Sequence, residues 1–325
     1  MMRVPRAALV GSLASLAPRS SLYLAPRMMT SAASPAAPMP AADFGGWDPV
    51  GRSKLVPLVS RPDELYVVSS SSRGIGLEFA TQLLQRTQGR VVGLARDPSG
   101  SAGMASLVQS HPDRFLPVQC DLTCQDSVDV AGAEVARLAS SGGGRGAVDL
   151  LMNVAGVLGD GSRGTGPERS LGAINRAWLQ GTLEVNLVGH VMMTQALLPL
   201  LKKGRSKGDD TDDPHFNKVV NLSARVGSIG DNRLGGWYSY RMSKSALNQF
   251  TKTAALELKR HGCVALSLHP GTTDTDLSVP FQKNVAEHKL FPAWFACGSM
   301  LDVVWAATGK ESGGFYAYDG SEIPW

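Results

Sequence analysis

The amino-acid sequence predicts an α/β fold, a single doubly wound parallel sheet with helices on both faces. Two observations carry this. From about residue 60 onward, short apolar runs alternate with stretches of helical periodicity, the pattern of a parallel sheet covered on both sides. Apolar residues make up 43% of the 325 and charged residues 18%. That is an ordinary globular composition, and it argues against collagen-like, disordered and membrane classes.

In chain order, Leu65–Ser69 reads as a buried strand and Gly74–Arg86 as a helix. Arg90–Ala95 is a second strand and Phe115–Cys120 a third. Thr123 with Asp126 offers a capping pattern for the helix that follows. Gly142, Gly143 and Gly144 mark a flexible turn, and Val148–Val154 is a fourth strand. Helical spacing then covers roughly Ile174–Lys202, and the charged stretch Lys202–Asp213 reads as a solvated loop. Lys218–Ser223 is a fifth strand, Ser239–Arg260 a helix, Val264–His269 a sixth strand and Phe315–Tyr318 a short last one. Right-handed crossovers make this a Rossmann-type sheet, with ligands beyond the carboxyl ends of the strands.

Residues 1–42 contain Arg3, Arg6, Arg19 and Arg27 but no acid or lysine, and are rich in Ala, Ser and Pro. This is the composition of an organellar transit peptide. We therefore expect a targeting segment over residues 1–50 and one domain over residues 60–325. The destination would be mitochondrion or plastid; a cytoplasmic protein with a disordered tail is the alternative. The net charge is +4, and removing those four arginines leaves the rest near neutral. No nucleic-acid footprint is expected on the domain. The longest apolar run, Val191–Leu201, is too short to span a bilayer. Cys120, Cys124, Cys263 and Cys297, and the six histidines, fit no zinc or redox spacing, so no metal is expected and the thiols read as free.

After the first strand comes Ser69-Ser70-Ser71-Ser72-Arg73-Gly74-Ile75-Gly76. A strand, a turn of small residues and a helix start form an anion site, where N–H groups and the helix dipole face phosphate. The second strand ends Ala95-Arg96-Asp97. An NAD site would place an acid near here for the ribose 2′-OH. Arg73 and Arg96 instead suit the 2′-phosphate of NADP(H) through charge-assisted bonds. NAD(H) is the weaker expectation, kept open by Asp97. Tyr240 and Lys244 are four apart, on one helix face. That spacing alone is weak: six Tyr and eleven Lys give about 0.2 such pairs by chance.

The ordered set of motifs resembles the short-chain dehydrogenase/reductase family. Gly74-Ile75-Gly76 matches the end of its TGxxxGIG motif, with Ser70 where the first Gly is usual. Asn153-Val154-Ala155-Gly156 matches NxAG, Tyr240-Arg241-Met242-Ser243-Lys244 matches YxxxK, and Pro270-Gly271 with Thr275 matches the PG motif. Ser223-Ala224-Arg225-Val226-Gly227-Ser228, Gly235 to Arg241, and the ending Ile323-Pro324-Trp325 resemble the C-factor-like and sniffer-type carbonyl reductases within it.

The resemblance implies an oxidoreductase that reduces an aldehyde, ketone or quinone with NADPH. Tyr240 would exchange the proton, Lys244 would lower its pKa and bond the nicotinamide ribose, and Asn186 would hold a water linking Lys244 to solvent. Cofactor contacts would come from Ser70, Ser72, Arg73, Gly74, Ile75, Gly76, Arg96, Asp121, Leu122, Asn153, Ala155, Gly156, Tyr240, Lys244, Pro270, Gly271 and Thr275. Asp121 reads equally as a helix-capping acid. Leu277, Val279, Pro280 and Phe281 would wall the substrate pocket.

The family's carbonyl-polarising serine falls on Ala224. Ser223 should point away by strand alternation, and Ser228 is the substitute. Ser70 and Ala224 support a second reading, an NADP-binding regulatory or signalling protein with little turnover. By analogy, Val188–Leu201 could pair chains in a homodimer or homotetramer; a core helix explains the same residues.

Overall fold

The structure is a computed structural model that describes residues 57–141, 143–159, 166–204, 217–286 and 289–325. The targeting segment expected over residues 1–50, Gly142, and residues 205–213 of the charged loop lie outside the described residues.

Six strands follow the expected runs: β1 (Leu65–Val68), β2 (Arg90–Ala95), β3 (Phe115–Gln119), β4 (Leu150–Asn153), β5 (Asn217–Leu222) and β6 (Cys263–His269). A two-stranded ribbon, β7 (Thr272–Thr273) with β8 (Leu290–Phe291), and β9 (Phe315–Ala317) complete the set. The main sheet runs β3-β2-β1-β4-β5-β6-β9 and is parallel throughout. Strand order reverses between β1 and β4, which makes that junction the switch point where ligands bind in such sheets.

Side-chain alternation builds two cores. Tyr66 and Val68 join Phe79, Leu83, Met300 and Leu301 on one face; Leu65 and Val67 join Val128, Val135, Met193 and Leu197 on the other. The first face is covered by α1 (Gly74–Arg86) and by a helix the sequence reading did not foresee, α8 (Ala293–Ala306). Arg86 ties them together: it donates to the Gly298 carbonyl at 3.1 Å and pairs with Asp302. A second unforeseen helix, α2 (Ala102–Ser110), is capped by Ser101, whose hydroxyl accepts from the Met104 N–H.

Two expectations are corrected. The N-cap position of helix α3 (Gln125–Ser140) is Cys124, not Thr123, and its side chain makes no capping hydrogen bond. The Asp121 carboxylate accepts from the Thr123 N–H (3.0 Å) and hydroxyl (2.7 Å), drawing that residue into the preceding turn. The long helix is also broken. It runs as α4 (Arg176–Leu183), a π turn at Glu184–Val188, α5 (Gly189–Ala196) and α6 (Leu198–Leu201). Met193, Leu197, Leu200 and Leu201 are buried within the chain's own core, while Val188 is exposed. Among the described residues, no helix is long and apolar enough to cross a membrane and no cluster of potential metal ligands occurs. The four cysteines are free, with only Cys124 exposed.

Candidate functional site

The turn after β1 is shaped by two left-handed residues, Ser70 (φ 55°) and Gly74 (φ 54°). Ser70 thus takes the conformation that a glycine would take more cheaply. Ser71 locks the turn through its hydroxyl to the Val68 carbonyl (2.6 Å), and the Ser101 hydroxyl holds the Ser72 carbonyl (2.7 Å). At Gly76 an added Cβ would lie 2.2 Å from the Ser70 carbonyl oxygen, so helix and turn can approach only without a side chain. Helix α1 has no side-chain cap and no acid in its first turn. A concave turn leading into uncapped helix N–H groups fits a pyrophosphate. Replacing Ser70 with glycine should relieve about 1 kcal/mol of backbone strain and raise the melting temperature by a few degrees. A fall would mean that the hydroxyl outweighs the strain.

At the end of β2, Asp97 is spent on its own turn. Its carboxylate accepts from the Ser99 hydroxyl (2.7 Å) and the Gly100 N–H (2.9 Å), and these bonds hold its pKa below the usual carboxylate range. Arg96 is exposed beside it. Arg73 reaches across to Asp276, 2.7 Å away, on the segment after β6. That segment begins at Pro270 and Gly271 (φ 73°), where a side chain would strike Phe291. It then brings the Thr275 methyl within 3.8 Å of where a Cβ on Gly74 would sit. Ile75, half-buried, packs against the core on the α1 face. Leu122, expected near the cofactor, packs tightly against Gly189 of α5.

At the switch point, the Ser69 hydroxyl accepts from the Val154 N–H at 2.8 Å. Asn153 donates to Thr194 (3.0 Å) and Asn221 (2.9 Å), joining β4 to α5 and β5. Ala155 and Gly156 continue this segment toward the lysine. A Cβ on Gly156 would be 3.9 Å from Lys244 Nζ and 3.8 Å from Asn186 Oδ1, ordinary contact distances that set this residue beside both side chains.

Tyr240 and Lys244 lie near the start of α7 (Tyr238–Leu258), and both are buried. Lys244 Nζ sits 5.8 Å from the Tyr240 ring centroid and donates to the Leu222 carbonyl at 2.7 Å. Burial pushes the Tyr240 phenol up to about 12 and the Lys244 ammonium down to about 7. Desolvation disfavours the charged form of both groups. Asn186, in the π turn, is also committed. Its side chain accepts from the Val157 N–H (2.8 Å) and donates to the Val157 carbonyl (2.9 Å) and the Ser243 hydroxyl (3.1 Å). Both amide hydrogens are thus used, while Oδ1 keeps a second lone pair with which it could accept from a water.

No serine replaces Ala224 cleanly. Ala224 is half-buried and extended (φ −151°). Ser223 is buried, and its hydroxyl has no hydrogen-bond partner among the described residues. The Ser228 hydroxyl accepts from the Asp231 N–H at 3.0 Å. The turn between them packs directly on the lysine: a Cβ on Gly227 would lie 2.8 Å from Lys244 Cβ.

Three residues here were not singled out from the sequence. Glu168, buried, accepts from the N–H of Ser239 (3.3 Å) and from its hydroxyl, fixing the start of α7. Trp237 follows two glycines that signal a left-handed turn, and its ring meets Tyr240 (6.3 Å) and Phe281 (5.4 Å). Leu277, Val279 and Pro280, expected as pocket walls, are exposed. His190 is fully buried one turn beyond Asn186. Its ring nitrogens make no hydrogen bond of normal geometry among the described residues, although the Ala155 main chain lies alongside. Burial, then the charge of Lys244, pushes it down to about 3.

His190 should therefore destabilise the protein in acid. An unfolded imidazole protonates near pH 6.5, the folded one only near 3. Between these values the unfolded state binds the extra proton, so stability falls as pH drops through that window and is unaffected above it. In His190→Leu the acid limb of a stability-against-pH curve should flatten; an unchanged limb would place the sensitivity elsewhere.

Residues 64–286 match the family model described as short chain dehydrogenase. The chain is 33% identical to C-signal of Myxococcus xanthus over 180 residues, 55% of this chain and 94% of that one. Its structure resembles an NADPH-bound carbonyl reductase from chicken fatty liver, with TM-score 0.70 and 26% identity over 81% of this chain and 99% of the other. It also resembles the carbonyl reductase Sniffer of D. melanogaster, with TM-score 0.69, 26% identity and the same coverage. With the matched segment spanning the phosphate turn, the switch point and the Tyr240–Lys244 helix, the chain belongs to the short-chain dehydrogenase/reductase family of oxidoreductases.

Proposed function

We propose that this protein is an NADPH-dependent carbonyl reductase that converts an aldehyde, ketone or quinone to the alcohol, with Tyr240 donating the proton. The observation that carries it is the buried Tyr240–Lys244 pair, set beside a side-chain-free cradle at the switch point of the sheet. When bound, NADPH supplies the hydride. Ser70, Ser72, Gly74, Ile75 and Gly76 would hold its pyrophosphate, Arg73 and Arg96 its 2′-phosphate, and Asp121 and Leu122 its adenine. Asn153, Ala155, Gly156, Lys244, Pro270, Gly271 and Thr275 would hold the nicotinamide end.

NADP(H) over NAD(H) is supported by Asp97, whose carboxylate is occupied by Ser99 and Gly100, and by the exposed Arg96 beside it; Arg73 would join it by leaving Asp276. The test is thermal stabilisation by NADPH and by NADH, followed by NADPH consumption with aldehydes, diketones and quinones. A larger shift with NADH would overturn the cofactor assignment. Stabilisation by NADPH without turnover of any carbonyl would favour the second reading, a cofactor-binding signalling protein, which rests on Ala224 and on the likeness to C-signal.

A further inference from the structure

The segment before the catalytic helix carries three successive left-handed residues: Gly235 (φ 64°), Gly236 (φ 64°) and Trp237 (φ 55°). For the two glycines this is free; for a bulky aromatic residue it is a genuine outlier. Such conformations persist only where the surroundings over-determine them, and they gather at ligand-binding sites. Here the surroundings do so. The Arg241 guanidinium donates to the carbonyls of Gly235 (3.1 Å), Gly236 (2.9 Å) and Val226 (3.1 Å). The Trp237 N–H donates to the Glu168 carbonyl at 2.5 Å, and the Glu168 carboxylate holds Ser239. The strained residue is clamped from both sides.

The clamp aims the indole. It stands edge-on to the Tyr240 ring, 6.3 Å away at 75°, and meets Phe281, 5.4 Å away at 52°, on the segment after β6. Trp237 and Phe281 are only half-buried, so part of each ring faces outward beside the buried phenol. Aromatic rings favour other aromatic rings edge-to-face or offset, beyond their shared apolar area.

We propose that Trp237 and Phe281 are specificity-determining residues, the aromatic wall of a substrate slot that selects flat aryl carbonyls over saturated ones of equal size. This rests on the carbonyl-reductase reading and adds the substrate class. The wall acts on ring shape, not on the carbonyl, so it shifts the ratio between substrates rather than the chemical step.

The test uses the full chain with saturating NADPH and a matched pair, benzaldehyde and cyclohexanecarbaldehyde. Conjugation makes the aryl aldehyde the less electrophilic of the two, so a preference for it must come from the site. Wild type should favour benzaldehyde in kcat/KM by about tenfold, within what one pocket contact achieves. Trp237→Leu should bring that ratio close to one. Phe281→Leu, on the segment after β6 and not on the catalytic helix itself, should lower it in the same direction. NADPH-induced thermal shifts confirm that both variants fold. A wild-type preference for the saturated aldehyde, or a parallel loss for both substrates in both variants, overturns the slot and leaves the reductase reading standing. No turnover of either aldehyde, or of any other carbonyl, with NADPH still binding removes both.

Discussion

Tyr240→Phe should lower kcat by about 10²–10⁴-fold, the usual worth of a positioned proton donor, while NADPH raises the melting temperature as much as in wild type. The separation of the two readouts follows from the geometry. The phenol is buried beside Lys244 Nζ, whereas the phosphate turn around Ser70 and Gly76 lies on another element and keeps its own hydrogen bonds. Phenylalanine preserves the ring that Trp237 packs against, so only the hydroxyl is removed. Rates from stopped NADPH consumption against a quinone and an aldehyde decide it. Equal kcat in the two proteins would take Tyr240 out of the mechanism.

The second large effect is a gain. Ala224→Ser should raise kcat by about 10², because a single donor to the developing oxyanion is typically worth that much or more. The position is extended, half-buried and immediately before the turn that packs on Lys244. Ser223→Ala provides the control. A large loss there, with no gain at Ala224→Ser, would show that Ser223 already serves and that its unpartnered hydroxyl awaits the substrate. If the wild type acts mainly as a signalling protein, Ala224→Ser is the change expected to switch turnover on.

Much of the scaffold was legible because buried strands are short apolar runs bounded by turn residues. Gly74–Arg86 and Arg90–Ala95 occur at the residues the pattern indicates, and the other elements read from the pattern, apart from the broken stretch 174–202, lie within about two residues. Helix α8 was not legible. It is buried on most sides beside α1 on that face, so its apolar residues show no one-sided period. The π turn around Asn186 leaves no mark in composition either. In the site, residues that share a motif could be placed from sequence, whereas Glu168 meets Ser239 across 71 residues with no spacing to signal it. The burial of Tyr240 and Lys244 was hidden for the same reason: a motif shows that a lysine is close, but not how far both groups are withdrawn from water.

Gly227 sets a boundary for anyone redesigning this enzyme. With Lys244 backbone 2.9 Å from where its Cβ would be, any larger residue would have to displace the helix that carries the lysine. A library randomised across Ala224–Ser228 to install new donors would therefore be dominated by misfolded or misaligned members at that one position. Holding Gly227 constant and varying its neighbours confines the search to sequences that keep the catalytic helix in register.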